Sequence, residues 1–308
     1  MSRTIAARTV SQGVARNVVR TVAQWLDDIE ARFTHAQLHF GHGTHNARDE
    51  AAWLLTHALA ISYADLPDAM NRVVGAPARR LEQLTRERIA TRKPLAYLLK
   101  EAWLGADRFY VDERAIVPRS FIAEILRDPC APWQKSAQPI RTILDLCTGS
   151  GCLAILAAHR WPEARVDAVD LSSGALAVAR RNVREHGVRE RVRVIQSDLF
   201  TALKDERYDL VLSNPPYVTA RAMRALPDEY QREPELALAG GRDGLELVRG
   251  IVRQAPTYLN SGAWIVLEIG HNRARMTKAY PTLPLRWLNT SVGSDIVCAL
   301  KAPWKPAE

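Results

Sequence analysis

Apolar side chains recur at helical spacing from about residue 14 to residue 92. Val22, Trp25, Leu26, Ile29 and Phe33 mark one helical face. Ala51, Trp53, Leu54, Leu55 and Leu59 mark a second, and Leu81, Leu84 and Ile89 run through a third, highly charged stretch. Ala64-Asp65-Leu66-Pro67 predicts a break after the second helix. Residues 101–118 alternate, which predicts a hairpin turning near Val111-Asp112-Glu113-Arg114. Beyond 119 the pattern becomes short apolar runs of β type, at 143–146, 165–170, 191–196, 208–213, 263–268, 285–288 and 295–300. The last two flank Ser291-Val292-Gly293-Ser294 and predict an antiparallel hairpin at a sheet edge. The expected organisation is a helical domain at 1–100, a β-hairpin linker at 101–118 and an α/β domain at 119–308. The helical domain reads either as a substrate-recognition module or as a structural cap. No internal repeat or low-complexity segment interrupts the pattern.

The first α/β strand runs into Cys147-Thr148-Gly149-Ser150-Gly151 and then into an apolar helix. Glycines there let the chain turn sharply and let a ligand approach the backbone, while the helix start offers unpaired N–H groups. The third glycine of a dinucleotide fingerprint is missing, as is the Lys-Ser/Thr of a phosphate loop, so nothing favours a pyrophosphate. Asp145, one residue before the strand ends, suits a ligand carrying an ammonium group. The second strand ends at Asp170, about twenty residues past the glycines, where an acid reaches ribose hydroxyls. Asp170 also fits as an N-cap for the helix after Ser172-Ser173. The third strand leads to Asp198-Leu199: an acceptor for an adenine amino group with an apolar residue to pack on the ring, or a plain loop acid.

The run 208–213 ends in Asn214-Pro215-Pro216-Tyr217. A Pro-Pro turn fixes the direction of backbone carbonyls, Asn214 adds a side-chain acceptor, and Tyr217 adds an aromatic wall. Two acceptors beside an aromatic face can grip a planar NH2 group by both hydrogens and leave its nitrogen free for alkylation. An isolated match of this kind is also ordinary turn punctuation. Its position downstream of the glycine loop gives it chemical meaning.

Composition narrows the setting. At 308 residues, 47% hydrophobic and 25% charged, the chain buries a core and is not a disordered sequence. A formal charge of +8 fits an acidic partner such as RNA, or simply arginine-rich solvated helix faces. Four cysteines form no Cys-x-x-Cys pair, which suits a reducing cytoplasm, and no His cluster completes a metal site by spacing. His42 and His45 sit in a Gly-rich turn and read as turn residues. No run is long enough for a membrane helix. Arg3, Arg8, Arg16 and Arg20, with no acid among the first twenty residues, mimic a transit peptide. Val14-Ala15 and Val18-Val19 read instead as a basic start to the first helix. Arg119 and Glu124 either line the pocket or form an ion pair at the hinge. Residues 219–241, charged and aperiodic, read as a lid that orders on binding or as an inert surface excursion.

These parts in this order resemble the class I S-adenosylmethionine-dependent methyltransferases, and the tetrapeptide resembles that of enzymes that methylate planar amino groups. Three further stretches narrow the likeness: residues 109–120 with Ile122-Ala123-Glu124; Phe40-Gly41-His42-Gly43-Thr44 with Asn46-Ala47 and Asp49-Glu50-Ala51; and residues 233–241 followed by Asp243-Gly244-Leu245. Over nearly the whole chain it resembles the ribosomal protein L3 glutamine N5-methyltransferase family. The sister release-factor family reads Pro-Arg-Pro-Glu-Thr where this chain has Pro118-Arg119-Ser120-Phe121-Ile122, and glycine where it has Cys147. Phe121 also departs from the proline usual in the family, which predicts a less rigid loop.

The resemblance implies a Rossmann-like, mostly parallel seven-stranded α/β sheet with a small N-terminal helical domain. It implies S-adenosylmethionine as cofactor, held by Asp145, Cys147, Thr148, Gly149, Ser150, Gly151, Asp170, Asp198, Leu199 and Asn214. It places catalysis at Asn214, Pro215, Pro216 and Tyr217, with no metal required. The implied partner is ribosomal protein L3, met in an assembling large subunit with ribosomal RNA nearby. A release-factor methyltransferase is the nearest alternative. A DNA or RNA amino-methyltransferase fits less well, because the chain lacks a target-recognition insertion and a basic–aromatic platform. A non-catalytic ribosome-binding factor is opposed by the intact loop, acids and tetrapeptide.

Overall fold

The computed structural model describes residues 20–135 and 138–305. The basic positions Arg3, Arg8 and Arg16 and the pairs Val14-Ala15 and Val18-Val19 lie outside those residues. The N-terminal part is helical: α1 (Val22–His35), α2 (Ala47–Leu59), α3 (Leu66–Ala69), α4 (Ala78–Thr91) and α5 (Leu95–Leu99). Thr21 and Gln24 form a reciprocal capping box on α1, and Asn46 caps α2, so each helix starts where a side-chain oxygen can accept an otherwise orphaned N–H. Their apolar faces bury Val22, Ile29, Phe33, Leu54, Leu55 and Leu81 in one cluster. Helix α2 stops at Leu59, where Ala60 takes a left-handed conformation. The expected break at 64–67 therefore falls later than the real one, and Leu66-Pro67 instead opens α3, where proline needs no N–H partner.

The hairpin is shorter than the alternation predicts. Its strands are β1 (Ala102–Leu104) and β2 (Asp107–Phe109), paired antiparallel around Gly105-Ala106. Residues 111–114 are not its turn. Buried Val111, Ala115 and Val117 alternate because they pack inward from an irregular segment, not because they are strand residues.

The remainder alternates α6 (Ile122–Arg127), β3 (Thr142–Leu146), α7 (Cys152–Arg160), β4 (Arg165–Asp170), α8 (Ser173–Glu185), β5 (Val192–Gln196) and β6 (Tyr208–Ser213). There follow α9 (Ala220–Met223), α10 (Glu246–Tyr258), β7 (Leu259–Glu268), α11 (Arg273–Ala279), β8 (Arg286–Thr290) and β9 (Gly293–Lys301). They build one seven-stranded sheet ordered β5-β4-β3-β6-β7-β9-β8. Only β9 runs against the others, pairing antiparallel with β7 and with edge strand β8, as the hairpin reading expects. Successive residues of each strand point to opposite faces, so Leu210 and Leu212 join the core under α6 and α7 while Val211 joins the core under α10. The strand order reverses direction at β3, leaving a crevice at the carboxyl ends of β3, β4 and β6.

Candidate active site

The loop after β3 is wound tightly. Gly151 has φ +83°, and a Cβ there would lie 3.1 Å from the Ala179 Cβ of α8, so loop and helix pack closely only because the side chain is absent. Cys147 also takes a left-handed φ of 59°. That is a conformation glycine adopts freely and a cysteine adopts only under constraint from the loop. Burial and the nearby Asp170 carboxylate push its thiol well up, so it stays neutral. The Thr148 N–H donates to the Val169 carbonyl (2.9 Å) and the Gly149 N–H to Asp170 Oδ2 (2.9 Å), which fasten the loop to β4.

Asp145 is fully buried and does not line the cavity. Its Oδ2 accepts from the Thr148 hydroxyl (2.5 Å) and the Ala154 N–H (3.0 Å), and burial pushes its carboxyl up to about 7. The carboxylate expected to meet an ammonium group therefore sits behind the loop and shapes it. Its Oδ1 and the Ser150 Oγ are buried without a hydrogen-bond partner among the described residues, and of the two only Ser150 lines the cavity.

Asp170 and Asp198 both line the cavity. Asp170 is not the cap of α8, since Ser172 performs that role. Its oxygens accept from the Gly149 and Ser172 N–H groups, each retaining a lone pair for a hydroxyl. The Asp198 carboxylate has no protein hydrogen-bond partner among the described residues and is exposed. Leu199 beside it has φ 46°, a second strained position on the same wall.

The Asn214-Pro215-Pro216-Tyr217 turn forms the opposite wall. The Asn214 Nδ2 donates to the Arg119 carbonyl (3.3 Å), which fixes the amide so that Oδ1 remains a free acceptor. The Tyr217 ring packs closely against Gly270 (φ 54°), where a Cβ would fall 2.6 Å from the ring Cε2. The Tyr217 hydroxyl is 3.4 Å from Glu268 Oε1, and its carbonyl accepts from Asn272 Nδ2 (3.1 Å). Glu268 also accepts from the Ser120 hydroxyl (2.6 Å) and the Phe121 N–H (2.9 Å). A proline at 121 would lack that N–H, so Phe121 replaces ring rigidity with a hydrogen bond.

Arg119 does not pair with Glu124. Its guanidinium grips Glu233 with contacts of 2.8 and 2.5 Å, and Glu124 instead accepts from the Ser291 N–H and hydroxyl. Burial alone would raise the Glu233 carboxyl, but Arg119 and His42 outweigh it and hold it at about 2. Glu233 also accepts from the Val117 N–H (3.0 Å). Burial lowers His42, whose ring meets the Tyr230 ring at 4.3 Å, tilted by 45°. These contacts fasten residues 219–241 to the start of the α/β domain. Glu229, buried nearby, accepts from Arg88 (3.3 Å) and Arg92 (3.2 Å) of the helical part.

These walls enclose a cavity of about 750 Å³, which Gly41 of the helical part and Leu236 of the 219–241 segment also line. It brings together every expected site residue except Asp145 and Gly151. Sequence reasoning did not single out Glu268, Tyr230 or the positioning role of Glu233. An acid closing an apolar strand, as in Ile265-Val266-Leu267-Glu268, is the one signal that could have flagged Glu268. The one group of three potential metal ligands among the described residues, Asp107, His159 and His186, lies outside the cavity.

A glycine loop, an acid on each of two adjacent strands and this turn at the crevice of such a sheet define a class I S-adenosylmethionine-dependent methyltransferase. Residues 134–228 match the methyltransferase small domain and residues 24–99 the PrmC N-terminal domain. The catalytic domain of hMettl16, solved with a MAT2A 3'UTR hairpin, shares the fold at a TM-score of 0.50 and 16% identity, covering 77% of this chain and 86% of that one. The ribosomal protein uL3 glutamine methyltransferase of Neisseria meningitidis serogroup B is 46% identical over 287 residues, 93% of this chain and 94% of its own length. That of Bordetella pertussis is 46% identical over 92% of this chain and 96% of its own. The chain belongs to the family of ribosomal protein uL3 glutamine methyltransferases.

Proposed function

We propose that this enzyme methylates the side-chain N5 of one glutamine in ribosomal protein L3 (uL3). S-adenosylmethionine supplies the electrophilic methyl group when bound, and the orphaned Ser150 hydroxyl, the lone pairs of Asp170 and the unengaged Asp198 carboxylate fit its polar parts. The observation that carries the reading is the orientation of Asn214. Its nitrogen is committed to the Arg119 carbonyl, so its oxygen is reserved for a donor in the cavity.

A glutamine amide nitrogen is a poor nucleophile because its lone pair is delocalised into the carbonyl. Acceptance of its two N–H bonds by Asn214 Oδ1 and the Pro215 carbonyl turns that lone pair toward the reacting carbon. Positioning and acceptors tuned to growing positive charge on nitrogen do most of the work. The Tyr217 face contributes about 1 kcal/mol by cation–π attraction. The helical part selects the substrate, since its Gly41 reaches the cavity. L3 is itself basic, so the formal +8 charge is easiest to understand if L3 is met in an assembling subunit with ribosomal RNA nearby. The reaction then belongs in the cytoplasm, and no helix among the described residues is long and apolar enough to cross a membrane.

Asn214→Ala is expected to lower turnover by about 10²–10³-fold while S-adenosylmethionine affinity stays within a few fold. Near-normal turnover would refute the grip. Peptide mass spectrometry with L3 and a release factor offered together tests the substrate. Methylation of the release factor with L3 left unmodified would overturn the assignment.

A further inference from the structure

We infer that a zinc-class divalent cation binds at Asp107, His159 and His186, a site remote from the methyl-transfer cavity. The three residues are far apart in sequence, on the β2 hairpin strand, the last turn of α7 and the C-cap of α8. The fold nevertheless brings one ligand atom of each within 4.8 Å of the others. Nitrogen and oxygen ligands at about 2.0–2.1 Å from a tetrahedral zinc lie about 3.4 Å apart, so small rotamer adjustments close the set.

Two further features suit a cation. The ends of α7 and α8 meet here, and helix C-termini carry negative partial charge. The His186 ring is also already oriented. Its Nε2 lies 2.9 Å from the Arg108 carbonyl and its face stacks on Phe109 at 4.7 Å. Donation from Nε2–H to a carbonyl leaves Nδ1 as the free ligand, the outer-shell arrangement that metal-binding histidines use. The Arg127 guanidinium holds Asp107 Oδ2 at 3.0 Å and leaves the other oxygen. Because Arg127 offsets that carboxylate's charge, the two imidazoles dominate the donor set, which selects zinc-like ions over magnesium or calcium. An ion there ties the hairpin to both helices and leaves a fourth position to water.

The site is separate from the cavity. Helices that follow parallel strands run back from the strands' carboxyl ends, and His159 lies eight residues past Gly151, about 12 Å along the helix.

The test uses the full chain without an affinity tag, stripped with a chelator and titrated with zinc chloride by calorimetry. One saturable equivalent is expected, weakened by about 10–100-fold or more in His159→Ala and in His186→Ala, with magnesium chloride showing no binding in the same range. S-adenosylmethionine affinity is expected to stay within a few fold in both variants. His159 is exposed, so its variant remains decisive should loss of the His186–Phe109 stack disturb folding. Absence of saturable zinc binding, or binding unchanged in His159→Ala, overturns the site and leaves the methyltransferase reading untouched.

Discussion

Asp145 shows how much of a residue's role depends on what surrounds it. The sequence places an acid near the end of the first α/β strand, and the reading of a ligand-facing carboxylate follows naturally. The structure gives it no solvent contact and a carboxyl pushed up to about 7 from an ordinary 3.8. Between those two values the folded chain keeps a proton that the unfolded chain releases. Stability from this group is therefore full below about pH 4 and declines as pH rises through 7. Both of its hydrogen bonds fall on one oxygen, so an asparagine with its oxygen in that place retains them and puts an NH2 in place of the orphaned atom. Asp145→Asn is expected to match the parent near pH 4 and to exceed it by roughly 2–4 kcal/mol at pH 8. Urea unfolding of both ligand-free proteins across that range checks this, and parallel profiles would show that burial does not govern the group. Cys147 and Leu199 carry the same lesson in backbone form. Their identities are visible in the sequence, but their positive φ values are imposed by the loops they occupy.

At the scale of elements, strands were the most legible feature. The sheet strands are apolar runs bounded by turn residues, and 165–170 and 208–213 match their observed limits, because burial on both faces leaves little choice of residue. The hairpin turn was misplaced because inward packing of an irregular segment imitates alternation. The anchoring of the 219–241 segment was not legible in the sequence. Two buried acids, Glu229 and Glu233, fasten it to cationic partners more than a hundred residues upstream, so no local period announces it. Glu233 joins the Arg119 guanidinium and the Val117 N–H, and the Arg119 carbonyl orients Asn214. Glu233→Gln keeps an oxygen for one of these contacts but leaves Arg119 without its countercharge. Turnover is expected to fall about 10–100-fold, by roughly 1.4–2.8 kcal/mol of lost positioning, with S-adenosylmethionine affinity little changed. Steady-state kinetics with a cofactor titration separates the two quantities. An equal loss in cofactor affinity would mean that Glu233 merely supports the fold.

At the scale of the whole molecule, the sheet and the helical part are coupled through Arg88. In the sequence it belongs to a charged stretch that reads as a solvated helix face. In the fold it is fully buried, donating to Glu50 (2.7 Å), Glu229 (3.3 Å) and the His39 carbonyl (3.1 Å). Glu50 lies on α2 and Glu229 on the segment that closes the cavity, so one guanidinium joins the helical part to the wall facing the substrate. Composition could not disclose this, because a buried arginine and an exposed one look alike until their partners are placed. Removing it strands the buried Glu50 carboxylate and leaves Glu229 to Arg92 alone, which is costlier than the pairing itself is stabilising. Arg88→Met is expected to lower stability by about 3–5 kcal/mol, and a further Glu50→Gln change should restore part of that loss by removing one stranded charge. If the coupling serves substrate selection, the double variant will bind S-adenosylmethionine nearly as the parent does while its KM for L3 rises several-fold. Chemical denaturation supplies the first comparison and methyl transfer to purified L3 the second. An unchanged KM for L3 in a stably folded double variant would make the helical part a cap on the sheet, with no share in recognising the substrate.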